Sequence, residues 1–322
     1  MKYLPPIAAA LLTLFLVVPA ELHTDPTMLM LGRFVPGGSW VQAGALALYA
    51  AFIAYKIMDP KVHARWRPWM WRLFSLVFFG QLALGVLGFE RFLLSGRLHP
   101  PVPAVILAGP IFRGGGLFMV FLLLGTLVLA GPAWCSHLCY LGSWDDAAAR
   151  LRRRPGALSR WRHALRAGVL LLVVLAAYGL RVLEVPPVTA GWLAVGFGVV
   201  GVGVMVGVSR RLGVMAHCLV FCPIGLVVNT LGKLNPFRLR IDPACTQCGA
   251  CTAACRYQAL EPAHIEAGKP GFTCTLCSEC LPRCRGGFIQ FRLLGLSPDR
   301  ARTCFVVLMA GLHASFLGLG MI

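Results

Sequence analysis

Two stretches near the end of the chain carry one phrase, Cys245-Thr-Gln-Cys248-Gly-Ala-Cys251-Thr-Ala-Ala-Cys255 and Cys274-Thr-Leu-Cys277-Ser-Glu-Cys280-Leu-Pro-Arg-Cys284. Each reads C-x2-C-x2-C-x3-C. Three thiolates so spaced can wrap one face of an iron–sulfur cubane, while the fourth points away toward the cubane of the other copy. The spacing therefore predicts two ligand sets: Cys245, Cys248, Cys251 and Cys284 for one 4Fe-4S cluster, and Cys274, Cys277, Cys280 and Cys255 for the other. Paired C-x2-C runs also build four-cysteine zinc sites, but two identical four-cysteine runs fit two cubanes better. The proline that usually follows the fourth cysteine is replaced by Arg256 and Arg285. Positive charge there would favour the reduced state and raise the potential.

This is the cysteine run of a two-cluster bacterial ferredoxin. The segment from Arg238 to Arg292 is about the size of one. It is too short to fold well on apolar burial alone, so the metal–thiolate bonds are expected to supply its folding free energy and the segment to be disordered without iron.

Composition places this module on a membrane. Hydrophobic residues make up 58% of the chain, mean hydropathy is +0.74, and several apolar runs are long enough to cross a hydrocarbon core of roughly 30 Å. Spans are expected at about 4–20, 40–57, 72–93, 115–134, 164–183, 189–209 and 303–322. The first, with Val17-Val18-Pro19-Ala20 at its end, also reads as a signal peptide; an uncleaved anchor is the favoured reading, and the remaining topology is the same either way. The expected fold is an all-α polytopic membrane bundle of six or seven helices with a small α+β ferredoxin-like module: a helical domain over 1–237, the ferredoxin-type domain over 238–292, and a final helix over 303–322.

Seven alternating spans leave only Arg33, Arg91, Arg97, Arg113 and Arg181, out of 30 Lys and Arg residues, on the side opposite the ferredoxin segment. Basic loops stay in the cytoplasm, so the module is expected on the cytoplasmic face of a bacterial inner membrane. The net charge of +18 is then mostly topogenic. Arg152-Arg153-Arg154 and the basic cluster from Lys61 to Arg72 flank spans and suit anionic headgroups, so membrane lipid is an expected partner and nucleic acid is not. Apart from Cys304, the 13 cysteines fall in or against this reducing face, which argues against a disulfide framework.

A second echo lies at the inner ends of spans four and six: Cys135-Ser-His-Leu-Cys139-Tyr-Leu-Gly142 and Cys218-Leu-Val-Phe-Cys222-Pro-Ile-Gly225. Residues i and i+4 share a helix face, and Pro223 with the glycines suggests that the helices break there. Three readings stay open for Cys135, Cys139, Cys218 and Cys222: a third metal centre (iron–sulfur, copper or zinc), a thiol–disulfide pair, or simple packing. His137 and His217 read as ligands, as donors to the site, or as hydrogen-bonded helix-end residues.

On these two C-x3-C motifs, the second followed by Pro223, and on the cysteines from Cys245 to Cys284, the chain resembles the polyferredoxin-like membrane proteins that include NapH, NosR and CcoG. The likeness runs from about the third span to Phe288. It implies that the eight downstream cysteines are cluster ligands, and that the protein passes electrons between the quinone pool and a partner redox enzyme or ferredoxin-type subunit. The alternative it implies is an assembly or maturation factor that reduces a metal such as copper, or a disulfide, through the four paired cysteines. A subunit of a quinol-linked oxidoreductase is expected rather than a stand-alone enzyme, with no catalytic acid or base. Tyr140 departs from the family's proline after the first pair. Only Glu21 to Trp40 is available where NosR-like members carry a covalent flavin domain, and the chain ends in a span where CcoG-like members carry a soluble domain. NapH is therefore the nearer likeness, with the last span unmapped.

Weaker signals remain. Glu90-Arg91 reads as an interfacial ion pair rather than a proton carrier. His63, His99, His163 and His313 do not share a helix at useful spacing, so no haem is expected. The G-x-x-x-G of span six is read as intramolecular packing, and Arg113-Gly114-Gly115-Gly116 lacks the context of a phosphate loop.

Overall fold

A computed structural model describes residues 3–24, 27–93 and 100–320; Lys2, Arg97 and His99 lie outside the described residues. Among the described residues seven helices are long and apolar enough to cross a membrane: Leu4–Leu22, Gly38–Ile57, Pro60–Val86, Phe118–His137, Arg162–Val182, Pro187–Leu212 and Pro298–Leu319. They are called the first to seventh spans below. Together with one small sheet, they make a mostly helical protein consistent with a multi-pass membrane protein.

Most span boundaries fall within a few residues of expectation, but the third does not. Instead of 72–93, the helix runs Pro60–Val86. Asp59 caps it by accepting the Lys61 amide at 2.8 Å, and Pro60 supplies the fixed φ of a first helical position. The basic cluster is therefore helical, with Arg67 buried and stacked 4.9 Å over the Trp71 ring. Glu90 and Arg91 fall past the helix end, in an exposed 3-10 turn.

The chain divides into two compact units. One takes in the first three spans and the seventh. Its core is small-residue packing: Ala9, Ala50, Ile53, Ala54 and Ile57 meet Met70, Val306, Ala310 and Ala314. The seventh span is thus an integral part of this bundle, and Arg302 donates to the Ile57 carbonyl at 2.9 Å to hold the end of the second span.

The other unit holds the middle spans and every cysteine except Cys304. Fourth and sixth spans are both interrupted near their ends. The fourth passes through a 3-10 turn at Gly131–Ala133 into the short helix Trp134–His137, and helix resumes at Gly142–Ala149. The sixth contains a π turn, Met205–Ser209; a second π turn, His217–Phe221, precedes the helix Pro223–Leu231. Pairs of π turns of this kind concentrate at functional sites. Strand β1 (Arg238–Ile241) follows and pairs with β2 (Ile289–Arg292); the two repeated cysteine phrases lie between them.

The glycines of the sixth span do not pack as their spacing implies. A Cβ at Gly203 or Gly207, the G-x-x-x-G pair, would meet nothing within 4 Å, whereas Gly198 faces Val102 and Gly201 faces His217 and Phe221.

Candidate metal centres

The duplicated phrase adopts a duplicated conformation. Gln247 and Leu276, each the second residue after its loop's first cysteine, have φ of 53° and 52°. Gly249 and Ser278, each after the second cysteine, have φ of 72° and 66°. Thr252–Ala254 and Leu281–Arg283 form matching 3-10 turns. The amide of Ala259 donates to Cys255 Sγ, and that of Phe288 to Cys284 Sγ, both at 3.3 Å. Non-glycine residues at positive φ cost on the order of 1 kcal/mol or more and persist where the surroundings over-determine them. Loops so curled turn successive amides inward, as anionic centres require.

Both ligand sets inferred from spacing gather as sets. Cys245, Cys248, Cys251 and Cys284 line one pocket of about 420 Å³, with Arg283 and Arg285 beside them. Cys255, Cys274, Cys277 and Cys280 line a second, narrower one. The crossing of Cys255 and Cys284 into the pocket of the opposite loop is what the C-x2-C-x2-C-x3-C run demands of a two-cubane segment. Among the described residues no three His, Cys, Asp or Glu side chains converge tightly enough to share one metal ion. Burial pushes the Cys255 thiol up to about 12 and raises Cys274 and Cys280 as well, so these positions hold their protons until a cation displaces them.

The four membrane-end cysteines come together too. Cys135, Cys139, Cys218 and Cys222 are all buried and line one narrow pocket with Trp134, Gly142, His217 and Gly225. They do not sit as i, i+4 pairs on unbroken α-helices. Cys135 lies in the short helix Trp134–His137, and Cys139 lies in the link before Gly142. Cys218 is in a π turn, and Cys222 is the extended residue before Pro223. Pro223 restarts the helix at once, since its ring suits a first turn. With Tyr140 in that place, the first motif restarts at Gly142. The two halves still bring their four cysteines to the lining of one pocket.

Two charged residues at this pocket were not legible as site residues. Asp145, fully buried, accepts the amide of Cys218 at 2.9 Å. Arg166, 1% exposed, donates through Nε to the Cys222 carbonyl at 3.3 Å. In the sequence Arg166 counts as one more inner-face cation. The signal for Asp145 was its position, a carboxylate three residues past the first motif in an otherwise basic segment.

The pocket abuts the ferredoxin loops. Ser136 Oγ, next to Cys135, donates to the carbonyl of Thr275, next to Cys274, at 2.8 Å in a buried contact. Around this bond Arg150 joins Asp146 and Glu279, and Arg162 reaches Gln258 at 2.7 Å and Glu261 at 2.9 Å. Arg256 donates to the carbonyls of Ala149 and Gly213 at 2.7 and 2.8 Å. Its guanidinium thus satisfies carbonyls at helix ends and docks the loop there while keeping its charge; Arg285 lines the first pocket.

Comparison with known proteins bears on the paired cysteines. A family model described as a 4Fe-4S binding domain matches residues 112–157 and 194–242. Each matched segment holds one C-x3-C pair, and neither extends to Cys245. No curated protein and no solved structure matches the chain. Over these two segments, which carry Cys135, Cys139, Cys218 and Cys222, the chain is similar to 4Fe-4S binding domains.

Proposed function

We propose that the chain is a membrane-bound iron–sulfur electron-transfer protein that passes electrons between the quinone pool and a partner redox enzyme, from a bacterial inner membrane with its ferredoxin module in the cytoplasm. Its twelve pocket-lining cysteines hold three 4Fe-4S groups: the two ferredoxin sets, and Cys135, Cys139, Cys218 and Cys222. The Ser136–Thr275 hydrogen bond carries this reading, because it seats the second ferredoxin loop directly against the paired-cysteine pocket, in one compact unit. Groups of this type, when bound, supply one-electron transfer without proton or bond chemistry.

The chain's own residues provide what such transfer needs. The buried thiols of Cys135, Cys139, Cys218 and Cys222 exclude water from the membrane-end site, the Arg150 and Arg162 ion pairs fix the separation of module and spans, and the first ferredoxin pocket, with Cys248 exposed, leaves an edge for a partner. Arg283 and Arg285 at that edge favour an acidic partner surface.

The test is anaerobic purification in detergent, iron analysis, and EPR during titration with a menaquinol analogue. About twelve irons per chain that become EPR-active on quinol addition are expected. Iron that dithionite reduces and quinol does not would overturn the quinol-linked role in favour of a maturation factor.

A further inference from the structure

Arg166 is a long cation placed almost fully out of water inside the fifth span, and the usual remedies for such burial are missing. Its Nε spends one hydrogen bond on the Cys222 carbonyl, but Nη1 is buried with no partner. An unpaired buried guanidinium is among the costlier groups a fold can carry. Besides His163 and His217, which offer it no negative charge, the groups within its field are Cys222, Cys135 and Cys218. As neutral thiols or as a disulfide, these give the charge nothing to offset. The buried carboxylate of Asp145 is turned to the Cys218 amide and adds negative charge to the same site.

The backbone has also made room for this side chain. A Cβ built at Gly225 would stand 2.1 Å from Arg166 Nη2. Gly225 is the last residue of the second C-x3-C-x2-Gly motif and lines the pocket with the four cysteines. The glycine lets the guanidinium come up to the thiols.

We infer that Arg166 is the electrostatic partner of the paired-cysteine centre, holding the orphaned Nη1 donor and a full positive charge against it and thereby raising its reduction potential above that of an otherwise equal site. The inference rests on the reading that these four cysteines hold a 4Fe-4S group. With four thiolates, one-electron reduction takes such a site from two net negative charges to three, with no bond made or broken. A fixed cation at low dielectric favours the more negative state. It also lowers the cost of keeping an anionic site at membrane depth.

The experiment compares the full-length protein with Cys135→Ser, Arg166→Gln, Arg166→Lys and Gly225→Ala, all purified anaerobically, by iron content and by EPR-monitored dithionite titration. Wild type should show three centres, one lost with about four irons in Cys135→Ser. In Arg166→Gln that same centre should become at least tenfold harder to reduce, a midpoint lower by about 59 mV, with the two ferredoxin midpoints unchanged. Arg166→Lys should recover part of the shift. Gly225→Ala, which displaces the guanidinium while leaving its charge in the chain, should shift the same centre in the same direction, and it decides the matter if Arg166→Gln does not fold. A wild type with only two centres, unaffected by Cys135→Ser, sinks the paired-cysteine reading and this inference with it. Three centres whose midpoints all stay put in Arg166→Gln, or in Gly225→Ala if that variant is the one that folds, overturn the role of Arg166 alone.

Discussion

At the scale of single residues, the ferredoxin loops are held by backbone conformations that their side chains resist. Gln247 is exposed and sits at φ 53°, so its conformation is imposed by the cysteines on either side rather than by packing. Gln247→Gly removes that strain, on the order of 1 kcal/mol, and should keep the iron of the wild type. Gln247→Val places a β-branched residue in the left-handed region, where it is a true outlier, and should lose iron several-fold faster under chelator challenge. Equal rates for the two variants would show that the loop tolerates either conformation. Leu276 has the same φ at the equivalent position but is buried, so there relief of strain and loss of burial oppose each other.

Among elements, the fourth span depends on one crowded corner. Gly131 has φ 57°, and a Cβ on it would lie 2.6 Å from the Asn235 Cβ. Asn235 in turn donates to the carbonyls of Val128 and Leu129 at 2.8 and 2.5 Å, closing the end of the helix in place of the turn that stops there. Gly131→Ala should therefore cost about 2 kcal/mol or more, through strain at positive φ and displacement of the amide. Asn235→Ala should cost about 1–3 kcal/mol by leaving the two carbonyls open. Since both act on one contact, the double variant should be less destabilised than the sum of the singles. Thermal denaturation in detergent measures all three, and strict additivity would count against the shared mechanism.

For the whole molecule, the ferredoxin segment and the spans answer differently to iron removal. The segment between β1 and β2 has short turns, one short helix and pockets lined by free thiols. Chelation should raise hydrogen exchange over 238–292 toward that of an unfolded chain, because metal binding supplies its folding free energy, while amides of the first three spans and the seventh stay protected. Persistent protection over 238–292 after complete iron loss would mean that docking through Arg150, Arg162 and Arg256 suffices to hold it.

Local pattern alone determined much of this protein. Hydropathy marked the seven spans because each must satisfy its own backbone within an apolar stretch, and cysteine spacing grouped the eight downstream cysteines into the two fours that line separate pockets, because that run is short-range geometry. The start of the third span was missed because charge was read as a helix boundary, whereas Arg67 pays for burial by stacking on Trp71. Only the tertiary structure could bring Cys135 and Cys139 to Cys218 and Cys222, seat Thr275 against Ser136, turn Arg256 toward carbonyls and place Arg166 beside the thiols. These contacts join residues some fifty to more than a hundred positions apart, and what selects such partners is the packing of the folded chain, which no window of neighbouring residues records.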